Sequence, residues 1–190
     1  THFESIYGHL GVRLAALFLD WLFLSPVVVI VAIFNSMRLS NYYYTYLFAQ
    51  VVILSYFMYL PVRYGATPGK RIMGLTILKI DGSAIHYRES FLKILPQFLI
   101  GLFTFALQCY LISLADEATF NKLSWMKQSQ YLTSFMPYYL FIIMLVGNGF
   151  NVANLITFVT NERKQSIGDL AAGTVVVYTT LLEKIREDRI

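Results

Sequence analysis

Four apolar runs, residues 10–34, 42–62, 94–114 and 136–158, dominate this chain. At about 1.5 Å of rise per residue, each is long enough to cross the roughly 30 Å hydrocarbon core of a bilayer as an α-helix. Lipid offers no partner to an open backbone group, so runs of this length are predicted to close their hydrogen bonds internally, as transmembrane helices. A mean hydropathy of +0.57, with 57% hydrophobic and 16% aromatic residues, places the chain outside the habits of water-soluble domains. The expected fold class is therefore an all-α membrane protein with four transmembrane helices, organised as one domain over residues 1–190. The first run reads as a retained helix and not as a cleaved leader, since residues 1–9 carry Glu4 and no Lys or Arg.

The short linker 35–41 predicts an antiparallel hairpin of the first two helices. Tyr42, Tyr43, Tyr44 and Tyr46 at one end of the second, and Tyr59, Pro61 and Tyr64 at the other, have the composition of headgroup anchors. Orientation follows from the cations outside the runs. Segment 63–93 holds Arg63, Lys70, Arg71, Lys79, Arg88 and Lys93, and the tail 159–190 holds Arg163, Lys164, Lys184, Arg186 and Arg189. The two opposite connections hold only Arg38, Lys122 and Lys127. The positive-inside rule then predicts that both termini and segment 63–93 are cytoplasmic, in a multi-pass protein of a cell membrane.

Segment 63–93 has internal structure of its own. Residues 65–71, Gly-Ala-Thr-Pro-Gly-Lys-Arg, are turn chemistry; residues 72–80 have strand composition, and Asp81-Gly82 is a turn dipeptide. A phosphate-loop reading of Gly65 to Lys70 fails, because the spacing is one residue short, Arg71 replaces the magnesium-binding hydroxyl and a strand follows where a helix is required. Residues 173–179 also have strand composition, which predicts a small cytoplasmic sheet with 72–80. Residues 87–94 suit an interfacial helix, and the outer loop 115–134, with Phe120, Trp125, Met126 and Leu132 among polar residues, suits an amphipathic segment on the outer leaflet.

Against this apolar background the charges stand out. Arg13 and Asp20 both lie in the first run. Two helical turns separate them, so they share a stripe but stand about 10 Å apart, and each needs another partner. Asp169 lies beyond the fourth helix, on the side expected to hold Arg13. For Asp20, burial and a nearby cation such as Arg13 would pull the acid strength in opposite directions. Gln97 and Gln108 in the third helix, and Asn148, Asn151 and Asn154 within an arc of about 120° on the fourth, read either as interhelical hydrogen bonding or as a polar pathway.

Other chemistries find no support in the sequence. The lone Cys109 excludes an internal disulfide, and His2, His9 and His86 form no cluster with Cys, so neither a metal site nor a cofactor is expected. No nucleophile is paired with a His by spacing, so the chain is not expected to be an enzyme. The net charge of +4 flanks apolar segments instead of interleaving with stacking aromatics, which points to lipid headgroups and away from nucleic acid.

Three stretches together resemble the RDD family of membrane proteins, named for one arginine and two aspartates. They are Arg13-Leu14-Ala15-Ala16 with Asp20; Thr67-Pro68-Gly69-Lys70-Arg71 with Gly74-Leu75 and Asp81-Gly82; and Asp169-Leu170-Ala171-Ala172-Gly173-Thr174-Val175-Val176. Family members often have His before the second aspartate, where this chain has Gly168. The resemblance implies Arg13, Asp20 and Asp169 as signature residues, and a family associated with transport, some of whose members are considered monovalent cation/proton exchangers. Two functions follow as expectations. In one, the Arg/Asp network couples monovalent cations to protons; four spans without an evident inverted repeat then require a homo-oligomer or a partner membrane protein. In the other, Arg13, Asp20 and Asp169 form a fixed clasp in a non-transporting scaffold or accessory subunit, whose basic surface grips anionic lipid or a partner.

Overall fold

A computed structural model describes residues 6–180 of the chain. His2, Glu4, Lys184, Arg186 and Arg189 lie outside the described residues. In chain order the elements are α1 (Leu10–Met37), α2 (Asn41–Leu54), a π-helical turn (Ser55–Tyr59), α3 (Leu60–Tyr64), α4 (Pro68–Ile72), β1 (Leu75–Lys79), α5 (Tyr87–Leu114), α6 (Glu117–Lys122), α7 (Trp125–Ser134), α8 (Tyr139–Thr160), α9 (Ile167–Ala172) and β2 (Thr174–Tyr178). Four helical stretches are long and apolar enough to cross a membrane: α1, Asn41–Tyr64, α5 and α8. The predicted four helices and small sheet are thus both present.

The described residues divide into two compact units. The first takes the chain up to Leu24, Leu54–Pro96 and the part from Val152 onward; the second takes Ser25–Ile53 and Gln97–Asn151. In the first, β1 and β2 pair antiparallel in the register Leu75↔Tyr178, Ile77↔Val176 and Lys79↔Thr174. The β-branched run Thr174 to Val177 is buried throughout, and Leu75 and Ile77 of β1 join Ala16, Ile85 and Val176 in one core. A strand of that composition favours the pleated sheet, and burial on both faces explains why it lacks polar alternation. The sheet therefore packs on the start of α1, close to where Arg13 emerges.

Local chemistry moves some boundaries from those read in the sequence. The turn residues 65–71 contain the helical turn α4, opened by Pro68. Gly65 and Gly74 adopt left-handed backbone on either side of it, with φ of 76° and 66°, so the strand begins at Leu75 and not at Ile72. Residues 87–94 are not a separate interfacial helix: α5 starts at Tyr87 and continues unbroken past Pro96. Its start is fixed by the Glu89 carboxylate, which accepts the His86 N–H at 2.9 Å.

In the second unit, the loop read as an amphipathic segment forms α6 and α7. Phe120 and Leu132 are buried with Leu39 and Ile112, whereas Trp125 and Met126 are exposed. The buried Gln128 amide donates to the carbonyls of Ser36 and Phe120 at 3.1 and 3.4 Å, which satisfies a polar group that would otherwise be costly there.

Candidate functional site

Two buried carboxylates in the first unit organise the site. Asp169 is placed by α9, whose first turn is a reciprocal capping box. The Ser166 hydroxyl accepts the Asp169 N–H at 3.2 Å, and Asp169 Oδ2 accepts the Ser166 N–H at 3.1 Å. Such a box needs Ser and an acidic residue three positions apart, which Ser166-Ile167-Gly168-Asp169 supplies. Gly173 ends the helix in left-handed backbone, φ 61°, and turns the chain directly into β2. The Thr174 hydroxyl then donates to Asp169 Oδ1 at 3.1 Å.

Two cations converge on the same carboxylate. Arg13 Nη1 donates to Oδ2 at 3.2 Å, and Lys93 Nζ from α5 pairs with Oδ1. The Arg13 guanidinium is held on every side: Nε donates to the Gly8 carbonyl at 3.0 Å, Nη2 to the Val176 carbonyl at 3.2 Å, and the Phe158 ring lies beneath it at 5.0 Å. Burial alone would raise the Asp169 pKa, but the charges of Lys93 and Arg13 outweigh it and hold the carboxyl well below the usual carboxylate range.

Asp20, completely buried, sits in a different socket. Its Oδ1 accepts the Tyr56 hydroxyl and the Gly69 backbone N–H, both at 2.7 Å. Its Oδ2 accepts the Thr67 hydroxyl at 2.7 Å, with Lys70 Nζ 3.9 Å away. Each donor has a local cause. The π-helical turn Ser55–Tyr59 carries Tyr56, and the Ser90 hydroxyl donates to the Phe57 and Met58 carbonyls there at 3.3 and 3.0 Å. Thr67 is the N-cap of α4, and Gly69 offers an N–H left unpaired at a helix start. Position 69 must be glycine: a Cβ there would collide with the Ala16 carbonyl oxygen and the Asp20 carboxylate. Lys70 lies between the two sockets electrostatically. Burial and the like charge of Lys93 push its pKa down to about 8, against the opposing pull of Asp20 and Asp169.

Arg13, Asp20 and Asp169 thus come together in one unit, but Arg13 pairs with Asp169 and not with Asp20, whose cation is Lys70. The five polar residues considered for a pathway are placed separately. Asn154 accepts the Ile167 N–H at 2.8 Å, and Gln108 accepts the Tyr139 hydroxyl at 2.5 Å. Gln97, Asn148 and Asn151 are exposed on their helices. Tyr56, Thr67, Gly69, Lys70 and Lys93 are site residues that the reading of single charges missed. The first is one tyrosine among many, and Lys93 has the look of a headgroup anchor. Thr67, Gly69 and Lys70 lie in a stretch that was legible as a motif but read as a turn.

An ionised carboxylate has about four lone-pair sites, and Asp20 has three hydrogen bonds and an ammonium disposed over its two oxygens. A monovalent cation would have to displace one of these donors. In total Arg13, Lys70 and Lys93 face Asp20 and Asp169, so the cluster holds one cation more than it has carboxylates.

The RDD family model matches residues 7–173. A relative from Bacillus subtilis (strain 168), described as the uncharacterized protein YckC, is 26% identical over 180 residues, covering 93% of this chain and 89% of its own length. No solved structure matches.

Proposed function

This chain belongs to the RDD family, and we propose that it is a multi-pass membrane scaffold or accessory subunit whose Arg/Asp network is a structural clasp. The carrying observation is the completeness of the Asp20 socket: three hydrogen bonds at 2.7 Å and Lys70 at 3.9 Å. The clasp ties α1 to the Thr67–Lys70 turn at one carboxylate and to α9 and β2 at the other. In this reading the sheet and the basic segment around it lie on the cytoplasmic side of a cell membrane. The cation counts support that orientation, with Arg63, Lys70, Arg71, Lys79, Arg88 and Lys93 in one connection against Arg38 in the first opposite one.

A double-mutant cycle tests the clasp. Asp20→Asn and Thr67→Val are each expected to lower the unfolding temperature in detergent. The double variant should lose clearly less than the sum, because the two groups share one bond. Additive losses would show that the contact does not bind the two elements together.

A second reading, monovalent cation/proton exchange, is favoured by one observation. Lys70, the cation beside Asp20, has its pKa pushed down to about 8 by burial and Lys93, so it can gain and lose a proton near neutral pH. Exchange would then run through Lys70 with Asp20 as its counter-ion, and Lys70→Met would abolish cation-dependent proton flux in proteoliposomes.

A further inference from the structure

An exposed face of α8 carries two amides that have no hydrogen-bond partner among the described residues. Along the part of α8 that lies in the second unit, Phe141, Met144, Leu145, Asn148 and Asn151 are all exposed. At 100° per residue they fall within an arc of about 120°, at the i, i+3, i+4, i+7 and i+10 positions of a helix-packing seam. Phe141 and Asn148 are one heptad apart, as are Met144 and Asn151. Asn148 lies near the middle of the 22-residue helix, where an amide facing lipid has neither water nor protein to bond. Asn154, one turn further on, is already used by the Ile167 N–H, whereas Asn148 and Asn151 have no such bond among the described residues.

We propose that this seam is the contact between two copies of the chain, paired through α8. Copies inserted with one topology meet as parallel helices, and a two-fold axis along the membrane normal brings each residue opposite itself. That places Asn148 against Asn148 and Asn151 near Asn151. An amide suits such a meeting because it carries both a donor and an acceptor and can bond its own image. Two facing amides amid apolar neighbours also fix the register, as a single buried Asn does in a coiled coil. A second copy is therefore a better occupant than an apolar helix, which would leave both amides unpaired. This interface is independent of the clasp and survives the failure of that reading.

The test uses the full chain in membranes with Cys109 replaced by Ala, and single cysteines introduced one at a time by Asn148→Cys and by Phe150→Cys, which lies on the other side of α8. Oxidation is expected to link Asn148→Cys into a dimer and to leave Phe150→Cys monomeric. In detergent, the unaltered protein should run as a dimer by light scattering, and Asn148→Leu with Asn151→Leu should shift it at least tenfold toward monomer. Equal linking at both positions, a monomeric parent protein, or linking of Asn148→Cys to a different protein would each overturn the proposal.

Discussion

Asp20 and Asp169 are both buried carboxylates in the same unit, yet they are neutralised by opposite means. Asp169 is matched by formal charge, with Arg13 on one oxygen and Lys93 on the other. Asp20 is matched mainly by dipoles, the hydroxyls of Tyr56 and Thr67 and the N–H of Gly69, with Lys70 at the looser distance of 3.9 Å. The difference lies in what each leaves behind when removed. Losing Asp169 strands two cations in a buried place; losing Asp20 strands three neutral donors, which are cheaper to leave unpaired, and one cation, Lys70, held at the looser 3.9 Å.

That asymmetry sets the largest expected effect. Asp169→Ala should cost about 3–5 kcal/mol, the range for breaking a buried ion pair from one side, and Asp20→Ala about 2–3 kcal/mol, from lost hydrogen bonds to a charged group. Thermal unfolding of the two variants in the same detergent checks the order, and a larger loss for Asp20→Ala would break the comparison.

Glycine substitutions sharpen it, since each socket is closed by one. A Cβ at Gly168 would collide with the Lys93 carbonyl oxygen, and one at Gly69 with the Ala16 carbonyl. Gly168→His, which introduces the residue frequent in the family at this place, should cost about 1–3 kcal/mol as an overpacked contact. The clash is with the Lys93 backbone, so Lys93→Met, which keeps that carbonyl, should leave the cost of Gly168→His in place. An unchanged unfolding temperature in Gly168→His would show that α5 yields there without cost.

A further test is the pH dependence of Lys70. Its pKa is lowered to about 8 from the ordinary 10.5, so between those values the unfolded chain holds more protons than the folded one. Stability then rises with pH across about 8 to 10.5. Lys70→Met should flatten that rise. Asp169 has the opposite signature: its lowered pKa contributes stability above the usual carboxylate value of about 4, and that contribution is lost as pH falls below it. A rise that persists in Lys70→Met would assign it to another group.

How much of this was legible in the sequence depends on the range of the interaction. The four long helices and the two strands follow from composition, and the pairing of 72–80 with 173–179 was legible because both runs have strand composition. Arg13, Asp20 and Asp169 were legible because a charge in or beside an apolar run demands a partner. Which partner was not legible. Lys93 at the edge of a helix is indistinguishable in sequence from a lipid anchor until α9 brings Asp169 to it. Tyr56 is aimed by a π-helical turn that composition does not announce. The asparagines of α8 show a limit of another kind: their arc was readable, but Asn154 turns inward to Ile167 while Asn148 and Asn151 stay exposed.

The central claim is that Asp20 is a fixed structural acceptor. It is tested most directly by proton flux in proteoliposomes with a pH-sensitive dye, with Na⁺, K⁺ and Li⁺ added in turn, comparing the parent protein with Asp20→Asn. The clasp predicts no cation-dependent flux that Asp20→Asn removes, together with a lowered unfolding temperature for that variant. Cation-dependent flux in the parent protein that vanishes in an equally stable Asp20→Asn would contradict it and make Asp20 a coupling site.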